Sequence, residues 1–335
     1  MTKNKVRFFM NKGIKMVSIA GYLPDNVVTN DDLSKIMKTS DEWIQSHTGI
    51  KQRYYAFNEN TSDLATEVGK KLLERANLKP EDIDLLIVST ISPDAITPST
   101  AAIVEKKLNL KSAFAFDISA ACAGFIYALS TAHKFLVSGL YRRAMVISAE
   151  TNSKMMDFKD RTSAVFFGDG AAGIIVEATD DEKENIYLSE KLVTVGNEEV
   201  IHSGRIAPLK EISSDNYPSM DAFYQNGREV YNFVTTDIVK HIKEFLETNK
   251  VNSKDLSYVV THQANLRLIE IISKEIEVPL NRVATDVKEC GNTSSVGIPL
   301  ALTRKFEDEN ITGKVLLTGF GAGLAYGSIL LEFGE

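Results

Sequence analysis

The 335-residue sequence predicts an α/β protein made of two related halves. Continuous apolar runs such as residues 85–88 are typical of strands covered on both faces, and amphipathic helical stripes alternate with them. One order of features also occurs twice: the strands and the turns keep a nearly constant offset of about 170 residues, as expected of a duplicated unit, and the glycine-rich runs keep a shorter one. Two βαβ-like halves that share one central interface explain this order better than a chance likeness between apolar strands.

The repeated order is a helix, a buried strand, a strand that ends in a turn of small residues, and a glycine-rich run. In the first half these features are residues 62–76, 85–88, 114–124 and 168–173. In the second half they are the helix that Asp237 opens, residues 258–260, residues 283–295 and residues 319–323. If a pseudo-two-fold axis relates the halves, the two small-residue turns face each other.

We divide the chain into a leader (1–16), a first half (17–178), connecting loops (179–223) and a second half (224–335). The leader is basic and polar, and its apolar run is too short for a signal-peptide core. We expect this segment to be a short leader, or to follow a start codon assigned too early. No window reaches the ~18 apolar residues of a membrane span.

Composition excludes several classes of function. With 44% hydrophobic and 25% charged residues the chain is typical of a soluble globular protein. A net charge of −7 without a long basic run argues against nucleic acid as the main partner. The two cysteines form no CxxC pair, and their number fits a reducing cytoplasm. No metal-binding spacing such as HExxH is present.

Cys122 lies in the small-residue turn between a strand-like segment and a helical pattern. Unpaired backbone N–H groups and the helix dipole at such a turn favour an anion, which lowers a thiol pKa from about 8.5 towards neutrality. The turn therefore predicts a nucleophile. The alternative is an inert core thiol, because free cysteine is among the most buried residue types.

Two polar residues occupy matching places in the second half. His262 follows the strand at 258–260, and Asn292 lies close to the repeat mate of Cys122. Ligands gather at strand ends in open α/β sheets, so we expect a thiol, an imidazole and a carboxamide to meet there. Each has a structural alternative: a histidine after a strand is often a satisfied core residue, and Asn292 beside Gly291 suits a turn.

Several motifs then occur in order along nearly the whole chain after the leader. They are SDEWI at 40–44, DISAACAGF at 117–125, FGDGA at 167–171, HQANLR at 262–267, GNTS at 291–294 and GFGAGL at 319–324. Together they resemble the β-ketoacyl-acyl carrier protein synthase III family of the thiolase superfamily. The resemblance implies a thiolase-like fold layered α-β-α-β-α, a cytoplasmic location and a homodimer.

The resemblance also implies an acyltransferase reaction. An acyl-CoA primer and malonyl-acyl carrier protein undergo a decarboxylating Claisen condensation that initiates fatty acid synthesis, with coenzyme A thioester as substrate and no cofactor or metal. Cys122 would hold the acyl group covalently, and the N–H groups of Cys122 and Ala322 would form the oxyanion hole. His262 and Asn292 would donate hydrogen bonds to the malonyl thioester oxygen while CO2 leaves.

Binding residues follow from the same resemblance. Trp43 and Arg161 would hold the CoA adenine between them. Gln263, Asn265 and Arg267 would border the carrier-protein entrance, with Arg267 facing the carrier's negative surface. The ordinary alternatives are a tryptophan packed in the core and an arginine solvated at the surface.

Some positions depart from the family pattern. His47 stands where an arginine that contacts CoA is frequent, while Asn232 and Glu275 stand where lysines are frequent near the carrier surface. Thr97 stands where phenylalanine is frequent at the acyl pocket, and Ala322 replaces a glycine. These departures leave the primer and the pathway open.

Three other functions therefore remain as alternatives. A specialised-metabolite ketosynthase would share the fold and the three polar residues. A degradative thiolase would need a second reactive cysteine, for which Cys290 is the only candidate. A catalytically silent homologue that binds a carrier protein is the third alternative.

Overall fold

The computed structural model describes residues 13–204, 220–309 and 311–334. The strands are β1 (Gly13–Tyr22), β2 (Val27–Thr29), β3 (Gln52–Tyr54), β4 (Leu85–Ser89), β5 (Phe114–Ile118), β6 (Arg143–Glu150), β7 (Gly170–Thr179), β8 (Tyr187–Thr194), β9 (Ile201–His202), β10 (Tyr224–Gln225), β11 (Leu256–Thr261), β12 (Gly313–Gly321) and β13 (Ala325–Phe333). The α-helices are α1 (Asn30–Ser34), α2 (Asp41–Thr48), α3 (Thr61–Ala76), α4 (Thr100–Leu108), α5 (Gly124–Val137), α6 (Gly227–Phe233), α7 (Val239–Thr248), α8 (Leu266–Glu275), α9 (Val287–Cys290) and α10 (Gly297–Asp308).

Two mixed sheets have matching topologies. The first has the strand order β1-β7-β6-β4-β5, and the second has the order β8-β13-β12-β11. In both, two parallel neighbours (β4 with β6, β11 with β12) are followed by antiparallel strands. A parallel bridge between Val259 and Val283 extends the second sheet beside β11, as β5 does beside β4. The predicted α/β fold of two related halves is confirmed.

The two helices that follow the small-residue turns, α5 and α10, lie between the sheets. Their apolar side chains share one core cluster with both sheets: Phe125, Ile126, Leu129, Ile298 and Leu302 from the helices, and Ile87, Val146, Val260 and Leu317 from the strands. The helices α3 and α4 cover the outer face of the first sheet, and α7 and α8 cover the outer face of the second. This packing produces the expected α-β-α-β-α layers.

Local sequence signals explain the ends of α3. The Asn60 N–H donates to Asp63 Oδ2 at 2.8 Å, which closes the first turn of the helix. Leu64, Val68 and Leu72 are fully buried and form the stripe that faces the first sheet. The helix ends where Asn77 adopts a left-handed conformation, with φ of 51°.

The helices and strands of the structure extend across three of the predicted boundaries. The strand β1 begins at Gly13, so only residues 1–12 of the predicted leader lie outside the described residues. The predicted connecting loops at 179–223 contain β8, an edge strand that pairs with β13. The prediction missed this strand because it is half-exposed and its alternating apolar residues lie among polar ones. The second-half helix begins at Gly227 and passes through a π-helical segment before α7, and therefore does not open at Asp237.

No helix within the described part of the chain combines the length and apolar character required to cross a membrane.

Candidate active site

One cavity, of about 510 Å³, has Cys122, His262 and Asn292 on its wall. Cys122 lies in a 3₁₀ turn between β5 and α5, and its side chain is partly exposed. His262 follows β11, and Asn292 follows α9. The topology therefore brings together a thiol, an imidazole and a carboxamide from three distant segments, as the repeat predicts.

The two small-residue turns face each other directly. Ala121 and Ser294 both have positive φ angles, 46° and 54°, and each begins a 3₁₀ turn that leads into a helix. Left-handed backbone at a residue other than glycine costs about 1–2 kcal/mol, so packing must hold both turns in place. Ser294 Oγ lies 3.4 Å from Cys122 Sγ. This geometry makes Ser295 the structural mate of Cys122, and Asn292 precedes that mate by three residues.

Asn292 is fixed as a hydrogen-bond donor towards the cavity. Its Oδ1 accepts a hydrogen bond from the Ser294 N–H at 2.9 Å, which leaves the amide NH2 as the group with free donor capacity. Its backbone is held on both sides: the Asn292 N–H donates to the Phe166 carbonyl at 2.8 Å, and the Gly168 N–H donates to the Asn292 carbonyl at 3.1 Å.

His262 is neutral in this environment. Its side chain is buried, and burial lowers the pKa of the imidazole to about 3, although a backbone hydrogen bond with Ser294 opposes that shift. The ring meets the Phe320 ring edge to face, with the centroids 5.1 Å apart. A neutral imidazole has one N–H, and Nδ1 of His262 has no hydrogen-bond partner in the described part of the chain; in the tautomer that protonates Nδ1, His262 can donate to a substrate without a positive charge.

Burial raises the pKa of Cys122 to about 12; a hydrogen bond with Ser294 opposes this rise, and the charge of Glu150 adds to it. The prediction that the turn lowers this pKa is therefore wrong for the structure as it stands. The physical reason is desolvation of the sulfur, which lines the cavity with only part of its side chain exposed.

A glycine brings the last strand pair against the nucleophile. A Cβ atom on Gly321 would lie 2.9 Å from both the backbone nitrogen and the Cβ of Cys122, so any larger residue at this position would displace the turn. The close approach places Ala322 beside Cys122 on the cavity wall.

Trp43 lies on α2 with charged and aromatic neighbours. The Arg161 guanidinium is 4.8 Å from the indole centroid, and the His47 ring stacks on the indole at 4.4 Å. Arg161 also donates to the Lys38 carbonyl at 2.8 Å. The Arg161 guanidinium stacks directly on the Trp43 indole, so an adenine could lie between them only after the guanidinium moves aside.

The residues predicted to meet a carrier protein differ in exposure. The prediction that Gln263 contacts a carrier is wrong, because it is 1% exposed and its amide bonds the Thr261 and Ala284 carbonyls. Asn265 caps α8, since its Oδ1 accepts from the Leu268 N–H. Only Arg267 of the three is well exposed, and its guanidinium donates a hydrogen bond to the Ser46 carbonyl.

Four of the five family departures lie outside the cavity wall. Thr97 is exposed and does not line the cavity. Asn232 and Glu275 are also exposed, and Glu275 forms an ion pair with Lys243 at 3.3 Å. His47 contacts Trp43 as described, and Ala322 is the one departure on the wall itself.

Two buried charged residues support the site and belong to none of the motifs. Arg53 is 0% exposed and donates to Asn30 Oδ1 at 2.7 Å and to the Val165 carbonyl at 2.9 Å, beside the segment that holds Asn292. Glu150 is equally buried at the end of β6. The sequence offers a signal for the burial of Glu150, because this acidic residue directly follows an apolar run. Nothing in the sequence distinguishes Arg53 from an exposed arginine.

Two family profiles match this chain, one in each half. The profile of the family described as 3-oxoacyl-[acyl-carrier-protein (ACP)] synthase III matches residues 116–196. The profile described as the C terminal of 3-oxoacyl-[acyl-carrier-protein (ACP)] synthase III matches residues 246–333.

Full-length relatives extend this similarity. The chain is 53% identical to β-ketoacyl-[acyl-carrier-protein] synthase III 1 of Lactiplantibacillus plantarum, over 95% of this chain and 98% of that protein. It is 42% identical to β-ketoacyl-[acyl-carrier-protein] synthase III of Streptococcus pneumoniae, over the same shares. The crystal structure of 3-oxoacyl-[acyl-carrier-protein] synthase III from Aquifex aeolicus superposes with a TM-score of 0.88 at 37% identity, covering 96% of this chain and 100% of that one.

Proposed function

The chain belongs to the 3-oxoacyl-[acyl-carrier-protein] synthase III family, and we propose that Cys122, His262 and Asn292 carry out its reaction. It is an acyltransferase that condenses an acyl-CoA primer with malonyl-acyl carrier protein, with loss of CO2, to initiate fatty acid synthesis. The enzyme uses thioester substrates and needs no cofactor. The observation that supports the residue assignment is the single cavity wall shared by the three side chains.

In the first half-reaction the Cys122 sulfur attacks the carbonyl carbon of acyl-CoA. A new sulfur–carbon bond forms, the bond to the CoA sulfur breaks, and the Cys122 proton leaves with the CoA thiol. The negative charge that develops on the carbonyl oxygen is proposed to be stabilised by the N–H groups of Cys122 and Ala322, two residues that share the cavity wall. The product is a thioester at Cys122.

In the second half-reaction the malonyl group loses CO2, and its thioester becomes an enolate. His262 and Asn292 donate hydrogen bonds to the enolate oxygen; Asn292 is fixed with its NH2 available, and His262 is neutral. The enolate carbon then attacks the acyl carbon on Cys122, and the sulfur leaves as a thiolate that takes up a proton from solvent. The product is a 3-oxoacyl group on the carrier.

Exposure and charge support the substrate-binding assignments. Trp43 and Arg161, already stacked, are proposed to bind the CoA adenine after Arg161 moves. Arg267, on the exposed side of α8, is proposed to contact an acidic carrier protein, with Asn265 shaping the start of that helix.

The alternatives lack support. A degradative thiolase needs a second reactive cysteine, but Cys290 is 1% exposed and does not line the cavity. The full-length relatives favour the synthase III reaction over a specialised-metabolite ketosynthase. Two free thiols suit a reducing compartment, which supports a cytoplasmic location.

We also propose that the enzyme is a homodimer. β5 pairs with β4 and lies at the edge of its sheet among the described strands, and Phe114 at its start is 36% exposed. Phe114 packs against Phe116, Phe135 and Tyr141, so the edge presents aromatic surface. Open apolar edges tend to pair with a second strand. Light scattering on the purified enzyme should give twice the chain mass; a monomer at micromolar concentration contradicts the proposal.

The function is tested by trapping the intermediate. Incubation with acetyl-CoA or another short acyl-CoA should add one acyl group to a tryptic peptide that contains Cys122, detected by mass spectrometry. The Cys290 peptide serves as the internal control and should stay unmodified, because that thiol is buried. Failure to detect an adduct on Cys122 with every primer of a straight and branched panel would refute the role of Cys122.

Carrier recognition is tested by charge reversal at Arg267. Arg267→Glu should raise KM for malonyl-carrier several-fold and leave KM for acyl-CoA unchanged, because the new carboxylate repels an acidic partner. Arg282→Glu is the matched control: Arg282 is exposed, but it bonds the Leu256 carbonyl at the opposite end of β11 from His262. An unchanged carrier KM in Arg267→Glu would show that the carrier docks elsewhere.

A further inference from the structure

Arg53 is a buried cation that the proposed reaction does not use. It lies in β3, is 0% exposed, and does not line the cavity. Its guanidinium donates hydrogen bonds to Asn30 Oδ1 at 2.7 Å, the Val165 carbonyl at 2.9 Å and the Val28 carbonyl at 3.3 Å. These three acceptors are neutral, so they offset less of the desolvation of the charge than a carboxylate would. The segments that this arginine holds together explain its burial better than a gain in stability does.

One end of the guanidinium is anchored on a fixed amide. The Asn30 NH2 group donates to Asp41 Oδ1 and to the Ile50 carbonyl, both at 2.8 Å. Because both of its N–H groups are engaged, the amide presents its oxygen to Arg53. Asn30 is 1% exposed, so water does not compete for this oxygen. The guanidinium is thereby fixed from the side of α1 and α2, the helices that carry Asn30 and Asp41.

The other end of the guanidinium holds the segment that fixes Asn292. Arg53 Nη2 donates to the Val165 carbonyl. The carbonyl of the next residue, Phe166, accepts a hydrogen bond from the Asn292 N–H at 2.8 Å. Phe167 then forms a parallel bridge with Asn292, and both residues line the cavity. The guanidinium therefore lies one residue away from the carbonyl that holds the proposed donor.

The aliphatic stem of the arginine packs against the same two segments. A Cβ atom on Gly168 would lie 3.1 Å from the Arg53 Cβ, and a Cβ atom on Gly291 would lie 3.2 Å from it. Gly291 also has a φ of 68°, which a side chain would strain. Glycine at both positions lets the arginine approach both backbones closely, and Gly291 directly precedes Asn292.

From these contacts we propose that Arg53 is a positioning residue: its guanidinium, anchored on Asn30, holds the 165–168 segment and thereby the amide of Asn292 where it donates to the malonyl thioester. The proposal rests on the proposed role of Asn292. A donor that is misplaced by about 1 Å can cost roughly a hundredfold in rate. Cys122 lies in the turn between β5 and α5, which none of these contacts involves. Loss of the guanidinium should therefore slow decarboxylation more than acylation.

The test measures the two half-reactions separately in Arg53→Met, which keeps an apolar stem and removes the guanidinium. CO2 release from malonyl-carrier should slow by roughly ten- to a hundredfold, while acylation of Cys122 by acyl-CoA stays close to the wild-type rate. Arg53→Lys keeps the charge but lacks the planar fork that spans Asn30 and Val165, so it should recover little of the loss. Equal slowing of both half-reactions in Arg53→Met, unchanged CO2 release, or full recovery by Arg53→Lys would overturn the proposal.

A double substitution shows whether Arg53 acts through Asn292. In the Asn292→Ala background, Arg53→Met should slow CO2 release no further, because the amide that the arginine positions is already absent. A further loss as large as the one in the wild-type background would overturn the proposal. Asn292→Ala alone tests the proposed function, since normal CO2 release in that variant refutes the role of Asn292 itself.

Thermal unfolding shows whether each variant is folded. If Arg53→Met does not fold, Asn30→Ala takes its place, because it removes the anchor at 2.7 Å and keeps the arginine. Selective slowing of CO2 release is again expected, and equal slowing of both half-reactions overturns the proposal. Arg143→Met is the matched control: Arg143 is 14% exposed, pairs with Glu177 at the start of β6 and does not line the cavity. It should affect both half-reactions equally, through stability; a selective loss of CO2 release in this control would refute the specific role of Arg53.

Discussion

Replacing Cys122 with alanine is expected to lower the condensation rate by at least a factor on the order of 10³, because removal of a nucleophile leaves only substrate binding and the oxyanion hole. The variant should also form no acyl-enzyme. Its fold should survive, since the side chain is partly exposed in a cavity and carries no buried ion pair. The measurement is a radiolabelled acyl-CoA assay with malonyl-carrier, alongside mass spectrometry.

The second cysteine provides the matched control. Cys290 is 1% exposed in a small core cluster with Val296 and Leu300, so Cys290→Ala removes a thiol without touching the cavity. We expect a modest loss of stability and activity within a few-fold of wild type. Retained condensation in Cys122→Ala, or its abolition by Cys290→Ala, would mean that the nucleophile has been misassigned.

The second large effect concerns the His262 and Asn292 pair. His262→Ala or Asn292→Ala should slow decarboxylation of malonyl-carrier by a factor on the order of 10²–10³, the loss typical of one oxyanion-stabilising donor. Acylation of Cys122 by acyl-CoA should continue at a similar rate, because these donors act on the malonyl thioester. The two half-reactions are measured separately, by CO2 release and by acyl-enzyme mass.

A second buried histidine, His241, provides a control variant that distinguishes a loss of catalysis from a loss of packing. His241 on α7 is 4% exposed, bonds Ser328 Oγ at 3.1 Å and lies outside the cavity wall. Burial lowers its pKa to about 4, so His241 shares with His262 a buried imidazole whose pKa lies below its usual range. His241→Ala should affect both half-reactions equally, through stability. If His262→Ala behaves in the same way, the proposed division of labour is incorrect.

Local sequence patterns were sufficient for most of the regular elements near the site. The apolar run at 85–88 became β4 (Leu85–Ser89), and the amphipathic stripe at 62–76 became α3 (Thr61–Ala76). Both depend on short-range periodicity, which a single sequence displays. The edge strand β8 was missed because one of its faces is solvated and its partner β13 lies far away in the chain.

The amino-acid sequence by itself determined the duplicated α/β plan and the family, together with the predicted meeting of Cys122, His262 and Asn292, since these depend on residue identity and order. The tertiary structure decided how each group is solvated and which charges surround it. Burial raises the pKa of the Cys122 thiol, Gln263 is enclosed inside the fold, and Glu150 accepts a hydrogen bond from Ser295 of the opposite half. Those properties are set by atoms from distant segments, and desolvation and Coulomb interactions depend on distances that a linear sequence does not contain.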